Sequence, residues 1–157
     1  MKLTIINRSG RSVPQRFLQV WVEKLAQRAA IEIKRAVLVD RRRVRVSVRS
    51  YRRKELILVF VSLKEVRGLN RNFRKRDYAT DVLSFCSDEP DTIGEIVICP
   101  EVIAKQAREH GLLVREELGY MVLHGFLHLL GFDHERSKSE GRLMFNIQDR
   151  LFERLLS

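Results

Sequence analysis

The chain contains 157 residues, 45% of them hydrophobic and 32% charged. This balance is typical of one soluble globular domain, expected here over residues 1–157, and it excludes disordered and fibrous proteins. No apolar run approaches the roughly 18 residues that a membrane-spanning helix needs, and the formal net charge of +10 favours a polyanionic partner.

The first half of the chain predicts two strands that alternate with two helices. Ser62, with Glu65 three residues later, predicts the cap of the second helix. The predicted elements are, in order, residues 2–7, 13–35, 55–62 and 62–74. On the first helix we expect one apolar face, made of Phe17, Val20, Trp21 and Leu25.

The second half predicts two short strands followed by three helices. Because strands and helices do not strictly alternate, the pattern favours an α+β fold, with a small mixed sheet of about four strands packed by helices. The strands are predicted at residues 81–86 and 95–99, and the helices at residues 100–111, 115–131 and 137–157.

A basic block occupies the middle of the chain. Residues 34–76 carry sixteen basic and three acidic side chains, whereas residues 77–157 carry eight basic and fifteen acidic ones. Lysine and arginine contacts to phosphates release condensed counterions, so the block predicts nucleic-acid binding. A solvated face that maintains solubility is the alternative. Within the block, residues 43–50 alternate like a strand, and a long basic hairpin or a loop is equally compatible.

Aromatic residues near the basic block could stack on nucleic-acid bases. Core packing is the expectation for Phe73, and the roles of Tyr51 and Tyr78 are left open. The two cysteines, Cys86 and Cys99, follow no CxxC spacing. We therefore expect them to be buried thiols and not metal ligands or a disulfide.

Three of the four histidines, His124, His128 and His134, lie in the segment HGFLHLLGFDH. On a helix over residues 115–131, the first two are one turn apart and project from the same face. Gly131 predicts a left-handed turn that ends the helix and returns the third ring toward the others. Three nitrogen ligands and a free fourth position are typical of catalytic zinc, although nickel, copper or iron also suit imidazoles.

The fourth histidine, His110, lies in a polar run and is expected to be solvated near a helix end. The residue after His124 separates this segment from the zinc proteases. Their motif HExxHxxGxxH has a glutamate there as general base, and here the position is Gly125. A metallopeptidase-like hydrolase stays as an alternative, but its base would have to come from elsewhere.

Three sequence blocks occur in the order LNRNFRKRDYATDVLSF at 69–85, IGEIVICPE at 93–101 and HGFLHLLGFDH at 124–134. In these blocks the chain resembles the YbeY family of bacterial metal-dependent endoribonucleases, the ribosomal RNA maturation factors. The resemblance covers roughly residues 55–150. The chain departs from the family pattern at Cys86, where proline is usual, and at Glu95, where aspartate is commoner. A basic stretch at residues 41–54 also looks like an expanded connection.

The resemblance implies a zinc ion on the three histidines of the third block. It implies cleavage of single-stranded RNA, maturation of the 3′ end of 16S ribosomal RNA on the small ribosomal subunit, and a part in ribosome quality control. The family's functional arginine corresponds to Arg74. A planar guanidinium complements the negative charge that develops on nonbridging phosphate oxygens, whereas a solvated arginine is the alternative from sequence alone. Expected RNA contacts are Arg71, Lys75 and Arg76.

Several questions stay open at this level. The nucleophile is either water or the substrate's own 2′-hydroxyl. Asp133 and Glu135 flank His134 and either orient its ring or are solvated. A non-catalytic ribosome assembly factor with structural zinc is a further alternative. The segment MKLTIINRSG has no apolar signal-peptide region, so we expect a cytoplasmic protein, and the oligomeric state is not predicted.

Overall fold

The computed structural model describes residues 1–40 and 51–157, without the side chains of residues 37–40. In these ranges the chain is α+β, as predicted. The strands are β1 Lys2–Asn7, β2 Glu55–Phe60, β3 Val82–Cys86 and β4 Thr92–Ile98, and the helices are α1 Gln15–Asp40, α2 Leu63–Arg74, α3 Pro100–His110, α4 Val114–Leu129 and α5 Lys138–Leu156. The alternating segment at residues 43–50 lies outside the described residues.

The four described strands form one mixed sheet in the order β1-β2-β4-β3. Strands β1, β2 and β4 are parallel, and β3 runs antiparallel to β4 at the edge. The parallel connection between β2 and β4 requires a long crossover, which α2 and β3 provide. The loop that follows β3 therefore returns directly into β4, which begins three residues earlier than predicted.

Side chains that alternate along β2 separate two apolar clusters. Leu56, Leu58 and Phe60 face the large cluster that the sheet shares with α1, α4 and α5. Val59 faces a smaller cluster that packs α2 against the opposite side of the sheet. Because both faces of β2 are covered, its sequence reads as a continuous apolar run.

Helix α1 is amphipathic, but its buried face differs from the predicted one. Trp21 and Leu25 are buried and Phe17 packs against them, as expected. Val20 is 48% exposed, which contradicts the prediction. The buried stripe includes Leu18, and two residues along a helix rotate by about 200°, so Val20 points away from the core.

The structure contradicts the expectations for Phe73 and Cys86, and it locates Tyr51, whose role the sequence left open. Phe73 is 64% exposed and meets Phe85 edge-on, because it lies near the exposed end of α2 and not in the core. Cys86 is exposed at the end of the edge strand, whereas Cys99 is buried as expected. Tyr51 is completely buried against Phe126, so it is not available to stack on a base.

Helix α4 lies at the centre of the molecule and is approached closely on two sides. A Cβ added at Gly119 would lie 2.8 Å from the ring of Trp21, and one added at Gly125 would lie 2.9 Å from Cγ2 of Ile96. These distances are shorter than ordinary van der Waals contacts, so both positions require glycine for this packing. None of the helices in the described ranges is both long and apolar enough to cross a membrane.

Candidate metal centre

The carboxyl end of α4 brings the predicted histidines together. His124 and His128 lie on the last turns of the helix, which ends at Leu129. Gly131 then adopts a left-handed conformation, with φ of 96°, and its N–H donates to the carbonyl of His128 at 2.9 Å. The N–H of Phe132 donates to the carbonyl of Leu127, which closes the turn. The predicted helix stop at Gly131 is therefore confirmed.

The turn places the third histidine beside the other two. One nitrogen from each of His124, His128 and His134 can be chosen so that all three atoms lie within 4.8 Å of one another. The Nε2 atoms of His124 and His128 are 3.1 Å apart. Two ligands of a tetrahedral zinc, each about 2.0–2.1 Å from the ion, are separated by about 3.4 Å. The donor set thus fits one small divalent ion with room for a further ligand.

Burial keeps the helical histidines neutral at physiological pH. It lowers the pKa of His128 to about 4, with a further contribution from the neighbouring histidines. Burial also lowers the pKa of His124. Neutral imidazoles keep the lone pair that a metal ligand needs. The rings are partly covered by Phe145, whose centroid lies 5.4 Å from that of His134.

A cavity of about 350 Å³ is lined by the three histidines and by residues from α2, the loop after it, β3 and α3. The cavity mixes positive charge from arginines with carboxylate and amide groups. Apart from the histidines, its polar lining residues are Arg74, Arg76, Tyr78, Thr80, Asp81, Ser84, Gln106 and Glu135.

Arg74 is the last residue of α2 and lines this cavity. The chain reverses immediately after it, because Lys75 takes a left-handed conformation with φ of 59°. Arg74 forms no ion pair with an acidic residue in the described part of the chain, whereas Arg76 pairs with Glu135 at 3.2 Å. The Arg74 guanidinium is therefore available for an anionic ligand beside the histidines.

The three expected RNA contacts lie at different positions relative to the cavity. Arg76 lines it, and its pairing partner Glu135 follows His134 directly. Arg71 instead lines a neighbouring surface groove on α2. Lys75 is exposed, and its amine donates to the carbonyl of Asn72 at 3.0 Å. The basic residues are thus brought to one side of the molecule but not into one site.

The sequence did not predict the contact between His124 and Gln148. Oε1 of Gln148 lies 2.9 Å from Nδ1 of His124, and Gln148 is completely buried on α5. Nothing in the sequence spacing indicates this contact, because α5 follows the histidine segment after a turn. The two acids beside His134 form their hydrogen bonds elsewhere: Asp133 accepts from the N–H of Glu135, which pairs with Arg76.

The fourth histidine is partly exposed, as expected, but it is not simply solvated. Its Nδ1 lies 2.9 Å from Oε2 of Glu117, a carboxylate that is 1% exposed. This contact connects the end of α3 to the first turns of α4. The hydrogen bond and charge of Glu117 raise the pKa of His110.

The comparison with known families decides the classification. A family model described as endoribonuclease YbeY matches residues 5–156. The chain belongs to the endoribonuclease YbeY family. The match extends over nearly the whole chain, which is wider than the range of about 55–150 that the sequence blocks indicated.

Two curated relatives and one solved structure match this chain along most of their own length. An endoribonuclease YbeY from Bdellovibrio bacteriovorus is 45% identical over 99% of this chain and 96% of its own. Another from Persephonella marina is 33% identical over 100% of this chain and 95% of its own. A solution structure of a Thermotoga maritima protein has a TM-score of 0.62 at 31% identity, over 98% of this chain and 88% of that one.

Proposed function

We propose that the protein is a metal-dependent endoribonuclease that cleaves single-stranded RNA. The observation that carries this proposal is the single cavity shared by three histidines and an arginine without an acidic partner among the described residues. The endoribonuclease names of relatives that match this chain nearly end to end support RNA as the substrate. We take residues 1–157 as one catalytic domain.

Zinc is the proposed ion, held by His124, His128 and His134. When bound, zinc supplies Lewis acidity toward a phosphoryl oxygen and acidifies water to a pKa of about 7. The histidines would fix the position of the ion, because two of them are partly buried on a helix and the third follows a glycine turn. Nickel, copper and iron are also compatible with this donor set.

Arg74 is the proposed catalytic residue. Its guanidinium binds the nonbridging oxygens of the scissile phosphate and stabilises the charge that develops there during transfer. Because no carboxylate among the described residues neutralises it, this charge is directed at the substrate. Arg76 holds the rim of the cavity through Glu135, and Arg71 and Lys75 extend the positive surface along the path of the RNA backbone.

The proposed biological role is maturation of the 3′ end of 16S ribosomal RNA and ribosome quality control, in the cytoplasm and on the small ribosomal subunit. The positive charge of residues 34–76 suits a ribosomal RNA partner. A measurement of RNA affinity between about 50 mM and 200 mM salt tests this surface, because each phosphate contact steepens the salt dependence. A flat dependence would argue against phosphate contacts.

The geometry around Gly125 disfavours a peptidase. A side chain at this position would enter the packing against Ile96 and Ser84 of the sheet, so α4 leaves no room there for a glutamate base. A zinc protease carries its general base directly after the first histidine of its motif. In this chain that position is Gly125, which has no acidic side chain.

The deciding experiment compares metal content and RNA cleavage for the wild type and for the His128→Ala and Arg74→Ala variants, purified side by side. We expect the wild type to cleave single-stranded RNA and to spare duplex RNA and single-stranded DNA of the same sequence. A 2′,3′-cyclic phosphate on the product identifies the 2′-hydroxyl as nucleophile, whereas its absence identifies water. Equal cleavage by all three preparations would assign the activity to a contaminant and overturn the proposal.

A further inference from the structure

Gln148 is a buried polar residue with one contact that bears on the metal centre. It lies on α5 and is 0% exposed. Its Oε1 atom is 2.9 Å from Nδ1 of His124, on the side of the ring opposite the other histidines. We propose that Gln148 is a positioning residue that holds His124 in the tautomer required for metal binding. This inference rests on the proposed metal-dependent function.

The chemistry of the contact determines which nitrogen of His124 carries the proton. A neutral imidazole carries one N–H and one lone pair, and an amide oxygen can only accept a hydrogen bond. The contact with Oε1 therefore requires the proton of His124 to be on Nδ1. The lone pair is then on Nε2, which lies 3.1 Å from Nε2 of His128 and faces the proposed ion. A metal-binding histidine usually donates its other N–H in this way.

The surroundings of the amide point to the same role. The Nε2 atom of Gln148 is buried and has no hydrogen-bond partner among the described residues. An unsatisfied buried donor is destabilising, and an apolar side chain of similar size would avoid this penalty. The hydrogen bond from His124 is thus the interaction that distinguishes glutamine from leucine at this position.

The reverse orientation of the amide makes the opposite prediction. The NH2 group would then donate to Nδ1 of His124, and the ring proton would lie on Nε2, where it blocks the ion. The two orientations are distinguished by nitrogen-15 NMR of the histidine rings in the metal-free protein. We expect the wild type to carry the His124 proton on Nδ1, and a proton on Nε2 would overturn the proposal.

Two variants separate positioning from packing. Gln148→Glu keeps an oxygen acceptor and replaces the NH2 group, which has no partner among the described residues, with a second carboxyl oxygen. Gln148→Leu removes the acceptor at similar volume. Both are compared in the full chain by competition for zinc with a chromogenic chelator. We expect Gln148→Leu to weaken zinc binding by about 10–100-fold and to lose the fixed His124 tautomer. Gln148→Glu should stay within a few-fold of the wild type.

Asn146→Leu is the matched control, because Asn146 is an exposed amide on the same helix and lines a different groove. It should keep both the zinc affinity and the tautomer. Wild-type zinc affinity in Gln148→Leu, or equal losses in Gln148→Glu and Gln148→Leu, would overturn the positioning role. If Gln148→Leu does not fold, Gln148→Met replaces it, and the wild-type tautomer still decides the outcome.

Different results would overturn the proposed nuclease function and the positioning role of Gln148. A wild type that binds zinc with the predicted tautomer but does not cleave RNA would overturn the nuclease assignment and leave the role of Gln148 intact. Conversely, RNA cleavage that depends on zinc in a protein whose His124 proton lies on Nε2 would support the nuclease and overturn the positioning role.

Discussion

The two helices that contribute to the candidate site are held in very different ways. Ten of the sixteen residues of α4, which carries two of the histidines, are buried. In α2, which carries Arg74, only Val66 and Asn70 are buried among twelve residues. The helix that carries two of the proposed metal ligands is thus part of the core, whereas the helix that carries Arg74 is largely solvent-exposed.

The ion pairs near α2 are typical of a solvent-exposed protein surface. Arg67 forms two hydrogen bonds of 2.9 Å with Asp77, and Arg76 pairs with Glu135. All of these side chains are about half exposed, and such pairs contribute about 0–1 kcal/mol and are screened by salt. The difference between the helices suggests a fixed metal position and a phosphate-binding edge that adapts to its substrate.

The sharpest test of the rigid half is removal of a histidine. We expect His128→Ala to lower zinc affinity by at least about 100-fold, because even an outer partner of a metal ligand is worth about 10–100-fold. Chelator competition and metal analysis measure this loss. His110→Ala, which changes a histidine remote from the cluster, should retain zinc, and tight zinc binding by His128→Ala would remove the metal centre from the proposal.

The exposed half is tested at Arg74. Arg74→Ala should reduce RNA cleavage by about 100–1000-fold, as expected for the loss of one donor to a developing oxyanion, while zinc content stays unchanged. Arg74→Lys should also be impaired, because an ammonium group lacks the planar fork. Single-turnover cleavage assays give the rates. Arg71→Ala is the matched arginine variant outside the cavity, and an equal loss there would transfer the effect to general RNA binding.

A pair of glycine substitutions compares the packing of the two helices directly. Gly125→Ala forces a methyl group against Ile96 and Ser84 and should destabilise the fold by about 1–3 kcal/mol. Gly68→Ala, inside α2 with nothing within 4 Å of its added Cβ, should stabilise it by about 0.5–1 kcal/mol. Urea unfolding measures both. The same sign for the two variants would contradict the contrast between a tightly packed α4 and an open α2.

The smallest expected effect concerns pH and the amino end of α4. Glu117 raises the pKa of His110 in the folded state, so the pair stabilises the fold fully below the unfolded pKa of about 6.5. This contribution is lost as pH rises through the higher folded pKa. The stability difference between the wild type and His110→Gln, measured by urea unfolding at several pH values, should shrink as pH increases. A difference that is independent of pH would mean that His110 contributes only neutral contacts.

The sequence predicts those features of the two helices that depend on residues close together in the chain. The cap at Ser62 is confirmed, since its hydroxyl accepts from the N–H of Glu65. The glycine turn after His128 is confirmed for the same reason: the hydrogen bonds that define it join residues only a few positions apart. Histidines at spacings of four and ten residues therefore already indicate a cluster.

What the sequence could not predict depends on contacts between distant segments. Exposure of Phe73 follows from where α2 lies on the sheet, which no local pattern encodes. Gln148 reaches His124 across two helices, and its sequence surroundings resemble any amphipathic helix. The sequence shows directly that no glutamate follows His124. It does not show that Gly125 lies on the side of α4 that packs against the sheet.

The contact between α1 and α4 has an optical consequence. Trp21 is the single tryptophan of the sequence. Its indole is 3% exposed, packs against Gly119 and donates its N–H to the carbonyl of that residue at 3.0 Å. Its emission therefore reports whether the histidine-bearing helix is docked, since undocking would expose the ring to water and shift the spectrum to the red. The native chain thus contains its own fluorophore for following the docking of α4 during unfolding without a label.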